Sequence, residues 1–188
     1  MAQEISRRFP GKLILDGKSI SVVPQWKVSE TESIWFEQNI TGKSVGGKLT
    51  GNEQDVDMEF WVENRSDRQV TAQAIFKPEL AGSIFGDKEL ERSFMMVDGK
   101  WKSLKDVEIS DSINAELVAV LSKDRRSVFA IGWPGRKYML NEADASAVSV
   151  VDMPKCPTNR RSYTYGKIFL IEGELTNLHR RFLREVKR

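Results

Sequence analysis

Apolar and polar positions alternate along residues 55–63. Val56, Met58, Phe60 and Val62 fall on one side, while Asp57, Glu59 and Glu63 fall on the other, with Trp61 among them. A period of two is that of a strand with one buried and one wet face. The turn formers Asn64-Arg65-Ser66-Asp67-Arg68 follow, and residues 69–76 supply a second strand-like run. The segment therefore reads as an antiparallel pair.

The same grammar covers most of the chain. Asp16-Gly17 separates runs at 12–15 and 19–23, and Asp98-Gly99 separates runs at 93–97 and 100–104. Asp-Gly between two such runs predicts a tight hairpin. Residues 33–40 form another strand candidate. Residues 41–52 are dense in glycine and predict either a loop or a bulged edge strand. Residues 78–87 read as a long loop or a helical turn, because Gly82 and Gly86 oppose a sustained helix. Runs at 115–121 and 127–133 flank Ser122-Lys123-Asp124-Arg125-Arg126; the second is apolar almost throughout, as in a strand covered on both faces. Residues 147–151 and 166–171 complete the strands. The pattern then changes: Leu175, Leu178, Phe182 and Val186 recur at steps of three and four, predicting an amphipathic helix over about 174–186, with Arg180, Arg181 and Arg184 facing solvent. The fold class implied is mainly β, an antiparallel β-sandwich with one C-terminal amphipathic helix. No composition break marks a linker, so residues 1–188 read as a single β-sandwich domain.

Composition narrows the function classes. With 29 basic residues against 27 acidic ones, the net charge of +2 gives no reason to expect a nucleic-acid partner. No apolar run approaches the ~18–20 residues needed for a transmembrane segment. Cys156 is the only cysteine, which excludes a disulfide scaffold. The first residues, Met1-Ala2-Gln3-Glu4-Ile5-Ser6-Arg7-Arg8, lack an apolar stretch. Two locations follow: cytoplasmic if Met1 is the natural start, extracellular or periplasmic if Met1 precedes a mature chain.

The sequence carries no cofactor motif. Gly42, Gly46, Gly47 and Gly51 match neither phosphate-binding nor dinucleotide patterns. His179 is the only histidine, so it assembles no histidine-rich metal site, and no catalytic residue is assigned. Cys156, in a proline-bracketed loop, reads as a packed or merely exposed thiol rather than a nucleophile.

The informative side chains are aromatic. Trp26, Trp35, Trp61, Trp101 and Trp133 suit core or edge positions in strands. Trp61 is set apart by its place among Asp57, Glu59 and Glu63, where an exposed indole beside carboxylates would suit stacking on a sugar ring. Arg160 and Arg161 with Tyr163 and Tyr165 offer a basic–aromatic surface, read as a solvated loop, as does Arg136-Lys137-Tyr138. The candidate ligand-binding residues are thus Trp61, Trp101, Tyr163, Tyr165, Arg160 and Arg161. The carboxylates of residues 57–63 also have the spacing of a glycoside-hydrolysing pair, although a solvated strand face is the commoner use of such a pattern.

From residue 128 to 182, Phe129-Ala130-Ile131-Gly132-Trp133, a loop with Asn141, Cys156-Pro157 and Gly166-Lys167-Ile168-Phe169-Leu170-Ile171-Glu172-Gly173-Glu174-Leu175, followed by Leu178 and Phe182, form a recognisable succession. It resembles the C-terminal pattern of uncharacterised bacterial secreted β-sandwich proteins, loosely of the galactose-mutarotase type. The resemblance implies a setting of polysaccharide degradation. Residues 141–155 hold no histidine where those relatives are expected to carry them, so no metal or acid–base role is transferred to that loop.

The function expected is a non-catalytic carbohydrate-binding or carbohydrate-associated module, with a polysaccharide or oligosaccharide as ligand. One alternative is a sugar-acting enzyme using carboxylates such as Glu59 with Glu142 or Asp144. Another is an assembly domain engaging a protein partner through the C-terminal helix, with Leu183 on either side of its apolar stripe.

Overall fold

The structure is a computed structural model that describes residues 12–20, 25, 27–28, 33–51, 54–76, 87, 90–107, 113–134, 136–140, 147–152 and 155–186. Trp26, Glu142, Asp144 and nearly all of the 78–87 loop lie outside the described residues, as do the side chains of Arg136, Lys137 and Tyr138.

In chain order the strands are β1 (Lys12–Leu15), β2 (Lys18–Ile20), β3 (Lys27–Val28), β4 (Ser33–Ile40), β5 (Lys43–Gly51), β6 (Asp55–Asn64), β7 (Ala72–Phe76), β8 (Ser93–Val97), β9 (Lys100–Ser103), β10 (Ile113–Asn114), β11 (Leu117–Leu121), β12 (Ser127–Gly132), β13 (Arg136–Leu140), β14 (Ala147–Asp152) and β15 (Arg160–Glu172). A helix, α1 (Leu175–Val186), follows. Six strands form one sheet in the order β10-β13-β14-β7-β1-β2, and nine form the other in the order β3-β4-β5-β6-β15-β12-β11-β8-β9. The chain is mainly β, an antiparallel β-sandwich with a single C-terminal α-helix among the described residues.

Both Asp-Gly hairpins form as the sequence predicts. Asp16 and Gly17 have φ of 49° and 75°, and Asp98 and Gly99 have 50° and 75°. Two successive left-handed residues give the tight turn whose twist matches the strands it joins.

The pair expected over residues 56–76 does not form. β6 lies between β5 and β15, whereas β7 belongs to the other sheet and pairs with β1. The reason lies at Asn64, whose buried amide donates to the carbonyls of Arg68 (2.7 Å) and Cys156 (3.1 Å). Its carbonyl oxygen accepts from the Ser66 backbone N–H and hydroxyl at 3.0 and 2.6 Å. Val70 and Cys156 then exchange two backbone hydrogen bonds. These bonds turn the chain out of its sheet, and the same turn formers serve a crossover instead of a hairpin.

The glycine-rich segment 41–52 is also corrected: it forms neither a loop nor an edge but β5, an interior strand between β4 and β6. A Cβ on Gly46 would fall inside the indole of Trp61, and one on Gly47 would sit 2.7 Å from Cε1 of Phe36. The two glycines therefore make room for one large ring on each face of the strand.

The chain divides into two compact units, residues 1–76 with 150–165 and residues 77–149 with 166–188. In the first, Ile34, Phe36, Val45, Leu49, Val56, Met58, Phe60 and Val62 share the buried face of β4–β6. In the second, α1 covers β8, β11, β12 and the latter half of β15. Leu178 and Phe182 are buried among Met96, Leu117, Ala119, Leu121, Val128, Ala130 and Phe169, with Leu175 and Val186 packed at the margin. This is the apolar stripe read from the sequence. β11 is buried throughout, and β12 nearly so, because these strands are covered on both faces.

Arg180 and Arg184 are exposed, but Arg181 departs from expectation. Its guanidinium lies 5.4 Å from the Phe169 ring centroid and donates to Glu185 at 2.9 Å. Lys167, itself buried, reaches the same carboxylate at 3.1 Å. Burial pushes the Glu185 carboxyl up, but the Arg181 and Lys167 bonds outweigh it and hold it below its usual range. Leu183 falls outside the stripe and is exposed.

Candidate functional site

The site is built on the outward face of the first unit. Strand alternation and register place Trp35 and Glu37 of β4, Ser44, Gly46 and Lys48 of β5, and Asp57, Glu59, Trp61 and Glu63 of β6 on this face, in cross-strand rows. One row reads Trp35, Lys48, Glu59; the next reads Glu37, Gly46, Trp61.

β15 completes the face, and here the expectation of a solvated loop is overturned. Arg160 to Tyr165 are the first half of a thirteen-residue strand. Tyr163, Thr164 and Tyr165 are aromatic and β-branched residues that suit a half-buried pleat. Arg161, Tyr163 and Tyr165 share the outward side, meeting Glu63, Trp61 and Glu59 in turn. Arg160 is also exposed, but strand alternation sends it to the other side.

Trp61 is on the predicted face, but it is not exposed. Only 6% of its surface is accessible. The space left by Gly46 lets the indole lie down on β5, while Arg161 covers it at 5.4 Å and Tyr163 abuts it at 6.5 Å. Its buried N–H finds no hydrogen-bond acceptor among the described residues. Trp61 is therefore the floor under Tyr163 rather than a free surface.

The tyrosines provide the open aromatic area. Tyr163 and Tyr165 are 39% and 51% exposed, with ring centroids 6.2 Å apart and planes within 6° of parallel. Burial, then the negative charge of Glu59, pushes the Tyr165 hydroxyl above its usual value.

Arg161 is tied down. Its Nη2 donates to Oε2 of Glu63 at 2.6 Å and lies 3.7 Å from Oε2 of Glu37. Arg65 donates to the other Glu63 oxygen at 2.9 Å, and the Ser44 hydroxyl to Oε2 at 3.3 Å. The Arg65 and Arg161 hydrogen bonds together lower the Glu63 carboxyl to about 2. A general acid at neutral pH needs the opposite shift.

Trp101 serves elsewhere. Half-buried in the second unit, it donates its indole N–H to the Leu175 carbonyl at 3.2 Å and packs against the core beneath α1. Cys156 is fully buried, its sulfur 3.2 Å from the Val62 carbonyl oxygen and 3.1 Å from that of Arg160, so of the two readings, packed or exposed, it is the packed thiol. Trp35, with Lys27 5.0 Å from its ring centroid, joins the platform face without having been singled out from the sequence. Only the register with Lys48 and Glu59 reveals it.

No family model matches this chain, and no curated protein is similar to it in sequence. Solved structures are similar in fold. A galactose mutarotase-like protein from Lactobacillus casei superposes with a TM-score of 0.50 at 8% identity, over 86% of this chain and 80% of that one. A galactose mutarotase related enzyme from Lactobacillus acidophilus gives 0.47 at 13% identity, over 89% and 84%. A polysaccharide lyase gives 0.52 at 8% identity; 90% of this chain is covered, but only 26% of the lyase. The mutarotase-type resemblance read from the sequence thus has its counterpart in the fold.

Proposed function

We propose that this chain is a non-catalytic carbohydrate-binding module whose ligand stacks on Tyr163 and Tyr165. The observation that carries the reading is the near-parallel, exposed tyrosine pair on an otherwise polar sheet face. A sugar presents C–H groups on one side of its ring and hydroxyls around its edge. It therefore matches an aromatic surface bordered by hydrogen-bonding groups. Trp61 supports Tyr163 from below, and Arg161, fixed by Glu63, borders the pair. The carbohydrate-related names of the lyase and the Lactobacillus casei protein agree with this reading, although a shared fold alone does not fix a function.

Glu63, held ionised by two arginines, is not the raised general acid that paired-carboxylate hydrolysis requires. Glu142 and Asp144 lie outside the described residues. Shallow stacking with few hydrogen bonds corresponds to micromolar to millimolar affinity.

Affinity electrophoresis through gels containing soluble polysaccharides tests the proposal. At least one gel should retard the protein, and Tyr163→Ala/Tyr165→Ala should abolish that retardation while the far-UV circular dichroism spectrum stays that of the folded protein. Retardation by none of a broad panel, or retention of binding by the double variant, rejects it.

A further inference from the structure

The charges around the tyrosine pair say which glycans it would take. Among the described residues, both arginines on this face are engaged by carboxylates. Arg161 is shared between Glu63 and Glu37, and Arg65 is held by Glu63. The exposed lysines lie on the side away from β15: Lys48 is opposite Glu59 in the β5–β6 register, and Lys27 is over the Trp35 ring. Beside Tyr165 the charged neighbour is the Glu59 carboxylate. Asp57 adds a further negative charge one step along the same side of β6. Recognition of a uronate or sulfate needs a cation free to form a bidentate or charge-assisted bond. Here the arginine nearest the rings has its guanidinium engaged, and Arg160 alternates to the other side. An anionic sugar on Tyr165 would meet Glu59 as a like charge, in the partly desolvated setting where repulsion is strongest.

Resting on the sugar-binding reading above, we propose that the Tyr163–Tyr165 face takes uncharged glycans and discriminates against uronic-acid and sulfated ones. Its contacts are stacking on the two rings and hydroxyl hydrogen bonds to Lys48 and the tyrosine hydroxyls. Binding therefore changes little with ionic strength, because no counterions are exchanged for ligand charge.

The experiment uses the full chain and backbone-matched pairs: hydroxyethylcellulose with carboxymethylcellulose, dextran with dextran sulfate, and fully methyl-esterified with de-esterified homogalacturonan. The neutral member of any pair that binds is expected to do so about tenfold more tightly than its anionic partner. That affinity should stay constant between about 0.02 and about 0.5 M salt. Glu59→Gln should narrow the gap several-fold by strengthening the anionic arm and leaving the neutral arm in place. Anionic members that equal or exceed the neutral ones, with affinity falling steeply in salt, overturn the proposed selectivity while sugar binding itself stands. An unchanged gap in Glu59→Gln assigns the discrimination to other groups and overturns the role of Glu59 as the repelling charge. Retardation by no member of any pair removes both this inference and the reading on which it rests.

Discussion

Gly132→Ala tests the docking of the C-terminal helix most sharply. Gly132 ends β12 opposite Leu117, and a Cβ there would lie within the Phe182 ring and 2.9 Å from Cδ2 of Leu117. Phe182 is fully buried, so it has no free space to retreat into. If the ring stays, the added methyl overpacks the site at a cost of roughly 1–3 kcal/mol. If the ring is expelled, the cost rises toward the ~3–5 kcal/mol of a Phe→Ala truncation. Gly132 does not have a left-handed φ, so alanine also stiffens the unfolded chain and returns about 0.4–1 kcal/mol. The net expectation is a loss of about 1–2 kcal/mol. Phe182→Ala alone should lose about 3–5 kcal/mol. In that background the alanine methyl partly fills the vacated space, so the double variant should be no less stable than Phe182→Ala. The coupling between the sites is then roughly 2 kcal/mol, with the two losses far from additive. Urea unfolding followed by circular dichroism at 222 nm, with m held constant across the set, gives all four free energies. Simple additivity within about 0.5 kcal/mol would falsify the contact.

Gly46→Ala should likewise displace Trp61, costing roughly 1–3 kcal/mol and shifting tryptophan emission to the red; unchanged stability and emission would remove the account of how the indole is buried. Glu63 has a folded pKa near 2, below its ordinary 4.5. Its stabilisation is therefore fully present above about pH 4.5 and fades as pH falls toward 2. Because the pair is partly exposed to solvent, that contribution is about 1 kcal/mol, and it should be absent from urea titrations of Glu63→Gln across the same pH range. Cys156, buried against two carbonyls, should resist Ellman's reagent in the native protein and react once urea unfolds it; rapid native labelling would contradict the packing.

What the sequence revealed depended on how local the deciding interaction was. The Asp-Gly hairpins and the α1 stripe were legible because each is specified within a few residues. The β6–β7 pairing was misread because the Asn64 turn formers fit a hairpin and a crossover equally well. The choice is made by a bond to Cys156, distant in sequence. The β5 glycines suggested a loop, since nothing in their own segment reveals that Phe36 and Trp61 occupy the space above and below them. For the site, alternation along β6 placed Trp61 on the correct face but could not report its burial, which Gly46 and Arg161 decide from neighbouring strands. Tyr163 and Tyr165 were singled out as aromatic residues beside arginines, and the fold sets them side by side on one strand. Their strand was missed because it lies on a polar face, where hydrophobic periodicity is faint.

The paired glycines of β5 also bear on the order in which the fold assembles. Lys43-Ser44-Val45-Gly46-Gly47-Lys48-Leu49-Thr50-Gly51 contains three glycines, and so has little intrinsic tendency to be extended before its neighbours exist. Its ordering gains from the rings of Phe36 on β4 and Trp61 on β6 closing over its backbone and from burial of Val45 and Leu49, all of which need the neighbouring strands in place. The strand at the centre of the β4–β6 ladder should therefore be among the last there to become structured. In a kinetic analysis, substitutions at Val45 and Leu49 would then accelerate unfolding and scarcely slow folding. A polypeptide arrested before that step would present the apolar faces of β4 and β6 with the strand between them still unformed.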